Sequence, residues 1–183
     1  MAGGGILVAL LILGGGLYHR RSQQAAAWER LSLAQYSAYS GQLDAALKQI
    51  NDLKMDHAGS PAAAFGLLFA GDIQYRQGLY KEAVATYSGI LESDAKFILP
   101  LALANTAMSQ EAAGEFNQAL VTDQRFLETY SDHFMAPQVH ASIARCQQAL
   151  GQMDQAKVTY QKITLQYPDT PWARWAQERL AQK

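Results

Sequence analysis

The sequence predicts an all-α protein in which about four helix pairs stack as a solenoid, with a capping helix after them and an apolar helix before them. Two observations predict the solenoid. A glycine followed five residues later by an alanine returns four times at intervals of 36 to 37 residues, and prolines stand at recurring candidate helix starts. A third observation, the absence of charge from residues 1–19, sets a segment of residues 1–21 apart from a repeat domain of residues 22–183.

The composition indicates a folded chain and argues against a nucleic-acid ligand. The 183 residues carry a net charge of −1, with 49% hydrophobic and 17% charged side chains. Such a chain is too apolar to be disordered and long enough to bury a sizeable core. Its pI of about 6.4 indicates no general basic field that could hold phosphates.

The first segment predicts a membrane anchor. Residues 6–13 are continuously apolar, and 18 helical residues reach about 27 Å, close to the ~30 Å hydrocarbon core. We therefore expect an uncleaved transmembrane helix within residues 1–21, contacting the membrane through residues 1–18. A cleaved signal peptide and a buried first helix are the alternatives, although no basic residue precedes the apolar run. Arg20 and Arg21 after it would place the following domain in the cytoplasm.

The repeats follow the anchor segment. In each repeat the glycine can adopt the positive φ that ends a helix, and the alanine five residues later permits close helix packing. Another small residue stands seven positions before each glycine. The sets of small residue, glycine and alanine are Ala34, Gly41, Ala46; Gly71, Gly78, Ala83; Ala107, Gly114, Ala119; and Ala144, Gly151, Ala156.

Proline and apolar spacing place the helices between these glycines. Pro61, Pro100, Pro137 and Pro171 stand where the first turn of a helix has no use for an N–H group. Four residues after each repeat alanine comes a residue that we expect to be large and apolar. This position holds Ile50, Tyr87 and Tyr160, and one repeat departs from the pattern with Asp123.

This arrangement resembles the tetratricopeptide-repeat family over about residues 25–183, most closely in residues 78–91 and 151–168. The resemblance implies helix pairs in a right-handed superhelix whose concave face binds proteins or peptide segments. The ending YPDTPWARWAQERL, residues 167–180, looks like that of envelope-associated bacterial members, in which the last helix caps the stack.

The order of anchor, Arg-aromatic patch and repeats is similar in layout to the ancillary Sec-translocon subunit family. That resemblance implies a single-pass protein of the bacterial inner membrane with a periplasmic repeat domain. It also implies translocon or periplasmic chaperone components as partners, and a role in envelope protein translocation, folding or assembly.

No pattern in the sequence indicates catalysis, a metal or a cofactor. Cys146 is the only cysteine and is expected to be a packed thiol, and the four histidines are scattered without metal-ligand spacing. We therefore expect a non-catalytic interaction scaffold. The alternatives are a self-associating or lateral subunit of a larger membrane complex, and a cytoplasm-facing adaptor.

The resemblance implies a partner-binding groove lined mainly by the first helix of each pair, and alignment of the repeats assigns residues to it. For its apolar members, ordinary packing between helices is the alternative interpretation. The predicted groove residues are Trp28, Leu31, Tyr39, Phe65, Leu68, Asp72, Tyr75, Arg76, Met108, Glu111, Arg145 and Gln148. Their mixed, apolar-leaning character suits an extended or helical segment bound through side-chain pockets.

Overall fold

The computed structural model of the chain describes residues 3–91 and 95–182, with side chains from residue 14 onward. These residues form α-helices and one short 3₁₀ helix, Lys96–Ile98, and no strand, which confirms the all-α prediction. In chain order the α-helices are α1 Gly3–Tyr39, α2 Leu43–Asp56, α3 Pro61–Arg76, α4 Tyr80–Leu91, α5 Leu99–Ala112, α6 Phe116–Tyr130, α7 Ala136–Ala149, α8 Met153–Gln166 and α9 Pro171–Ala181.

The four repeat glycines end the first helix of each pair, as predicted. Gly41, Gly78, Gly114 and Gly151 have φ values of 81°, 77°, 79° and 73°. At the last of them, the Gly151 N–H donates to the Gln148 carbonyl at 3.0 Å and the next N–H donates to the Gln147 carbonyl at 2.8 Å. This is the Schellman arrangement, which satisfies carbonyls at a helix end and returns the chain for the second helix.

The small residues lie at close helix crossings, also as predicted. The repeat alanines and the small residues seven positions before each glycine are all buried. A very close crossing lies in the second repeat, where a Cβ on Gly71 would lie 2.4 Å from the ring of Tyr87. Only a glycine at this position lets the ring pack directly against the helix backbone.

The chain divides into two compact units, residues 1–70 and 71–183. In the first, α1 packs on α2 around a core that includes Leu31, Ile50 and Leu53. In the second, each helix from α4 to α9 packs against the next one along the chain. Helix α9 covers Tyr160 and Ile163 with Trp172, Trp175 and Leu180, the packing expected of a capping helix.

The predicted transmembrane helix requires a correction. Within the part of the chain that the structure describes, no helix has both the length and the apolar character needed to cross a membrane. The apolar residues 6–13 lie outside the residues whose side chains are described. From residue 14 to residue 25, α1 is exposed and carries Arg20 and Arg21.

The predicted domain boundary at residue 21 lies inside α1. α1 is one helix of 37 residues that passes through Arg20 and Arg21, because charged side chains are compatible with an exposed helix. On these findings the predicted anchor of residues 1–21, the membrane contact through residues 1–18, and the single-pass inner-membrane location with periplasmic repeats are wrong.

Candidate functional site

In the first unit, three predicted groove residues on α1 and α3 are exposed aromatic side chains, Trp28, Tyr39 and Phe65, and we refer to these three residues as the aromatic patch. Trp28 and Phe65 are 43% and 38% exposed, and their ring centroids lie 5.7 Å apart across α1 and α3. Tyr39 is 80% exposed and lies 6.2 Å from the ring of Phe69.

The two aliphatic residues predicted in this unit lie deeper. Leu31 is only 3% exposed and belongs to the core with Ala27 and Leu53, so packing explains it fully. Leu68 is half-buried on α3. The patch is therefore aromatic rather than aliphatic.

In the second unit, the predicted residues lie on successive first helices, and α5, α7 and α9 contact one another in turn. We call this surface the first-helix face. It comprises Asp72, Tyr75 and Arg76 at the end of α3, Met108 and Glu111 on α5, and Arg145 and Gln148 on α7. Gln138 of α7 bridges to α5 through a 3.9 Å contact between its Nε2 and the Met108 Sδ.

The centre of this face is an ion-pair cluster formed by Glu111, Ser142 and Arg145. The Arg145 Nε and Nη2 atoms donate to the two Glu111 carboxylate oxygens at 2.5 and 2.7 Å. The Ser142 hydroxyl donates to the same carboxylate at 3.1 Å. Such a two-pronged pair fixes both side chains more firmly than a single contact does. The side chains stay 17% (Glu111) and 35% (Arg145) exposed.

Arg145 is also positioned by α9. Its guanidinium carbon lies 5.9 Å from the centroid of the Trp175 ring, and the guanidinium carbon of Arg179 lies at the same distance from it. A guanidinium over an indole face is attracted by the ring quadrupole. The orientation of Arg145 is thus set from two directions, by Glu111 on α5 and by Trp175 on α9.

Other residues of the first-helix face also contact neighbouring side chains within the fold. The Asp72 carboxylate accepts from the Tyr87 hydroxyl at 2.5 Å and from the Asn105 amide at 3.4 Å. Gln148 is exposed and accepts from the Tyr160 hydroxyl at 3.1 Å. Burial raises the pKa of Tyr75, whose ring lies 5.3 Å from that of Tyr80. Arg76 is exposed.

A residue that the groove prediction missed, Asp123 of α6, interacts electrostatically with the ion-pair cluster. It is 1% exposed, and neither of its carboxyl oxygens has a hydrogen-bond partner among the described residues. Burial raises the pKa of Asp123 to about 8; the Glu111 charge also raises it, whereas Ser142 and Arg145 lower it. The available sequence evidence was its departure from the repeat pattern, since Ile or Tyr occupies the equivalent positions.

A recurring hydrogen bond between the two helices of a pair was also missed. A threonine hydroxyl on the second helix donates to a glutamine side chain on the first at 2.7 Å in three repeats. The pairs are Thr86 with Gln74, Thr122 with Gln110, and Thr159 with Gln147. The sequence contains the pattern, because each glutamine stands four residues before a repeat glycine and each threonine eight residues after it.

The described residues contain no group of three or more His, Cys, Asp or Glu side chains placed to hold a metal ion. Cys146 is buried, as expected, and burial raises the pKa of its thiol to about 12. A thiol with this pKa is protonated at neutral pH and is a poor nucleophile. The chemistry of the first-helix face is therefore that of hydrogen bonds, one ion pair and aromatic surfaces.

Residues 142–170 match the family model described as "Tetratricopeptide repeat". This segment spans the end of α7, the Schellman turn at Gly151 and the whole of α8. The chain has the tetratricopeptide-repeat fold. The resemblance inferred from the repeat spacing is confirmed, and the matched segment contains Ser142, Arg145 and Gln148 of the candidate site.

Solved tetratricopeptide-repeat structures are similar to most of the helical array. A tetratricopeptide repeat protein from Parabacteroides merdae superposes with a TM-score of 0.69 at 22% identity, over 85% of this chain and 59% of that one. The chain thus spans little more than half the length of that relative. No curated protein sequence matches the chain significantly.

Two further similar structures are described by their peptide ligands or sites. YrrB, a tetratricopeptide protein with an unusual peptide-binding site, has a TM-score of 0.60 at 17% identity, over 85% of this chain and 79% of that one. The first tetratricopeptide domain of Spaghetti, bound to the HSP90 peptide SRMEEVD, has a TM-score of 0.54 at 20% identity. It covers 64% of this chain and 89% of its own. These identities show a shared fold.

Proposed function

We propose that this chain is a non-catalytic scaffold that binds an extended or helical segment of a partner protein. The first-helix face of the second unit is the proposed binding surface there. In the first unit the proposed contact residues are Trp28, Tyr39, Phe65 and Leu68, with the aromatic patch as the exposed part, whereas Leu31 belongs to the core. Structurally similar proteins that hold peptides support the proposal, as does the absence of catalytic patterns from the sequence.

The observation that carries the proposal is the ordered but partly exposed Arg145. Its two hydrogen bonds to Glu111 use two of the five N–H donors of a guanidinium, and its plane is held over Trp175. The remaining donors can bind the backbone carbonyl or a carboxylate of a partner without first being ordered. An arginine that is already ordered in the free protein loses less conformational entropy on binding.

A panning experiment with phage-displayed random peptides tests this function. The full chain is immobilised, selected peptides are synthesised, and their affinities are measured by fluorescence anisotropy. We expect peptides to be enriched, and we expect Arg145→Gln to weaken their binding at least tenfold. Arg125→Gln is the matched control, because Arg125 is an exposed arginine on α6, away from the first-helix face. It should leave affinity unchanged.

Two results would contradict the proposal. One is a selection in which no peptide is enriched over an uncoated surface. The other is a set of peptides whose affinity falls equally with Arg145→Gln and Arg125→Gln, since that would remove the first-helix face from the contact.

For the partner class, we propose components of protein-translocation or chaperone systems, on the strength of the part of the layout resemblance that does not need an anchor, namely the Arg-aromatic patch followed by the repeats. An array of overlapping peptides from such components, probed with the full chain, tests it. Binding that depends on Arg145 would support the assignment, and an array without Arg145-dependent spots would contradict it.

A further inference from the structure

Asp123 breaks the rule that buried carboxyl groups are paired. It lies on α6, facing α5 and α7, at 1% exposure and without a hydrogen-bond partner among the described residues. The equivalent positions of the other repeats hold Ile50, Tyr87 and Tyr160, so the fold does not need an acid there. An unpaired ionised carboxylate in such a place is strongly unfavourable, and the group is therefore kept protonated.

The groups that face Asp123 come from both neighbouring helices. α5 contributes Glu111, and α7 contributes Ser142, Arg145 and Cys146. Burial, reinforced by the Glu111 charge, keeps Asp123 neutral near pH 7, with its pKa raised to about 8. The Cys146 thiol, whose pKa burial raises to about 12, stays protonated throughout this range and takes no part.

The polar donors that could stabilise an ionised Asp123 belong to side chains that already hold Glu111. The Ser142 hydroxyl and two N–H groups of Arg145 all donate to Glu111. A second negative charge near Glu111 would compete for these donors. Two carboxylates that share one guanidinium cannot both keep the full set of hydrogen bonds.

We propose that the proton on Asp123 controls the Glu111–Arg145 ion pair, and through it the binding competence of the first-helix face. With Asp123 neutral, Arg145 and Ser142 hold Glu111 and the face is ordered. With Asp123 ionised, both donors are drawn towards α6 and Arg145 loses its fixed position. The first part of the proposal, control of the ion pair by the Asp123 proton, concerns the protein alone. The second part, the effect on binding, rests on the proposed function.

A double-mutant cycle at two pH values tests the first part without any peptide. Glu111→Gln, Arg145→Gln and the double variant are unfolded with urea at pH 6.5 and pH 9.5, in the wild-type background and in Asp123→Asn. In the wild type, the coupling between the two residues, expressed as a factor in the folding equilibrium constant, should fall at least fivefold at pH 9.5. In Asp123→Asn it should be the same at both pH values.

Asp123→Ile provides a second background if the asparagine variant folds poorly. The first repeat already combines Ile50 with Ala34, and Ala107 stands at the position of Ala34 in the third repeat. The coupling should again be independent of pH. A wild-type coupling that is equal at the two pH values, or one that falls equally in the Asp123 variants, would overturn the proposal.

The same peptides selected for the proposed function test the second part. Their affinity for the wild-type chain should fall at least fivefold from pH 6.5 to pH 9.5, and their affinity for Asp123→Asn should stay level. A peptide without ionisable groups is used, so that its own titration does not contribute. Binding absent at both pH values would contradict the proposed function, while the cycle would still decide the role of Asp123. A pH-dependent coupling with pH-independent affinity would overturn the regulatory step.

Discussion

At the scale of single residues, Gly71 and Tyr87 show how one missing side chain sets a helix crossing. The Tyr87 side chain is 0% exposed, and its hydroxyl donates to the Asp72 carboxylate at 2.5 Å. Its ring atoms lie 2.4 to 2.8 Å from where a Cβ on Gly71 would stand. The ring cannot move aside, because it is enclosed by the core and held at its hydroxyl end.

Gly71→Ala should therefore lower the free energy of unfolding by about 1–3 kcal/mol, since overpacking outweighs the gain in helix propensity. Gly89→Ala is the matched control, because Gly89 also lies within a helix but a Cβ added there would have no atom within 4 Å. It should raise the free energy of unfolding by about 0.5–1 kcal/mol. Urea denaturation measures both. Changes of the same sign would contradict the close-packing explanation.

The burial of His140 leads us to expect that the protein loses stability in acid. It is 4% exposed, its ring lies 5.8 Å from that of Tyr167, and burial, assisted by the Lys162 charge, lowers its pKa from 6.5 to about 4. Because the unfolded chain binds this proton more readily, stability falls as the pH drops from 6.5 to 4. The ring borders a cavity of about 680 Å³ that also contains Glu128 and Asp132, so solvent screens part of the effect.

We expect the contribution of His140 to this loss to be about 2 kcal/mol. His140→Gln should remove it, and His19→Gln, at an exposed position of α1, should retain it. Chemical denaturation at pH 4, 5, 6 and 7 measures the difference between the two variants. Parallel stability profiles for the two variants would contradict the burial of a neutral His140.

Some contacts between single residues could not be predicted from the sequence. The buried alanines and the face shared by Glu111 and Arg145 follow from repeat alignment. The ion pair itself does not, because it joins side chains 34 positions apart whose geometry depends on how α5 and α7 pack. Asp123 appeared in the sequence as a departure from the pattern, but its burial became visible only once both neighbouring helices were in place.

At the scale of the helices, local residue chemistry predicted most of the boundaries. The four repeat glycines end helices, and helices begin at or one residue before the four predicted prolines. Gly59, with φ of 76° between α2 and α3, was missed because it lies outside the repeat pattern. The transmembrane interpretation of residues 1–21 was wrong, because no helix among the described residues has both the length and the apolar character needed to cross a membrane.

The first helix pair departs from the Gln–Thr hydrogen bond of the other three. Its equivalent positions hold Ser37 on α1 and Gln49 on α2. The glutamine is therefore on the second helix and the hydroxyl residue on the first, the reverse of the other three pairs. Ser37 is 9% exposed, and the Gln49 Oε1 atom is buried without a partner among the described residues. A buried unpaired amide oxygen costs about 1–3 kcal/mol.

Exchanging these residues should repair the pair. In Ser37→Gln combined with Gln49→Thr, the hydroxyl on α2 can donate to the amide on α1, as in the other repeats. We expect the free energy of unfolding to rise by about 1 kcal/mol, and the melting temperature by about 2–4 °C. Each single substitution should be neutral or destabilising. A double variant no more stable than the sum of the singles would contradict the equivalence of the positions.

At the scale of the whole molecule, stability within each unit is built from contacts between neighbouring helices. In the unit of residues 71–183, α9 is the last of these neighbours, and its Trp175 packs edge-on against Tyr160 at 5.2 Å. In repeat arrays each element depends mainly on the next, so loss of a terminal cap is felt most by the helices beside it. This expectation came from the sequence, and the packing of Trp172, Trp175 and Leu180 supports it.

Trp175→Ala should therefore loosen the second unit from one end. Removal of the partly buried indole leaves a gap against Tyr160 and frees Arg145, which should lower the free energy of unfolding by about 2–4 kcal/mol. Arg174→Ala, at an exposed position of the same helix, should stay within about 0.5 kcal/mol of the wild type. Hydrogen exchange read by mass spectrometry should show the largest acceleration in α8 and α7, less in α6, and least in α5. Equal acceleration from α4 to α8 would instead mean that this unit opens as one cooperative block, and that neighbour-by-neighbour stability does not describe it.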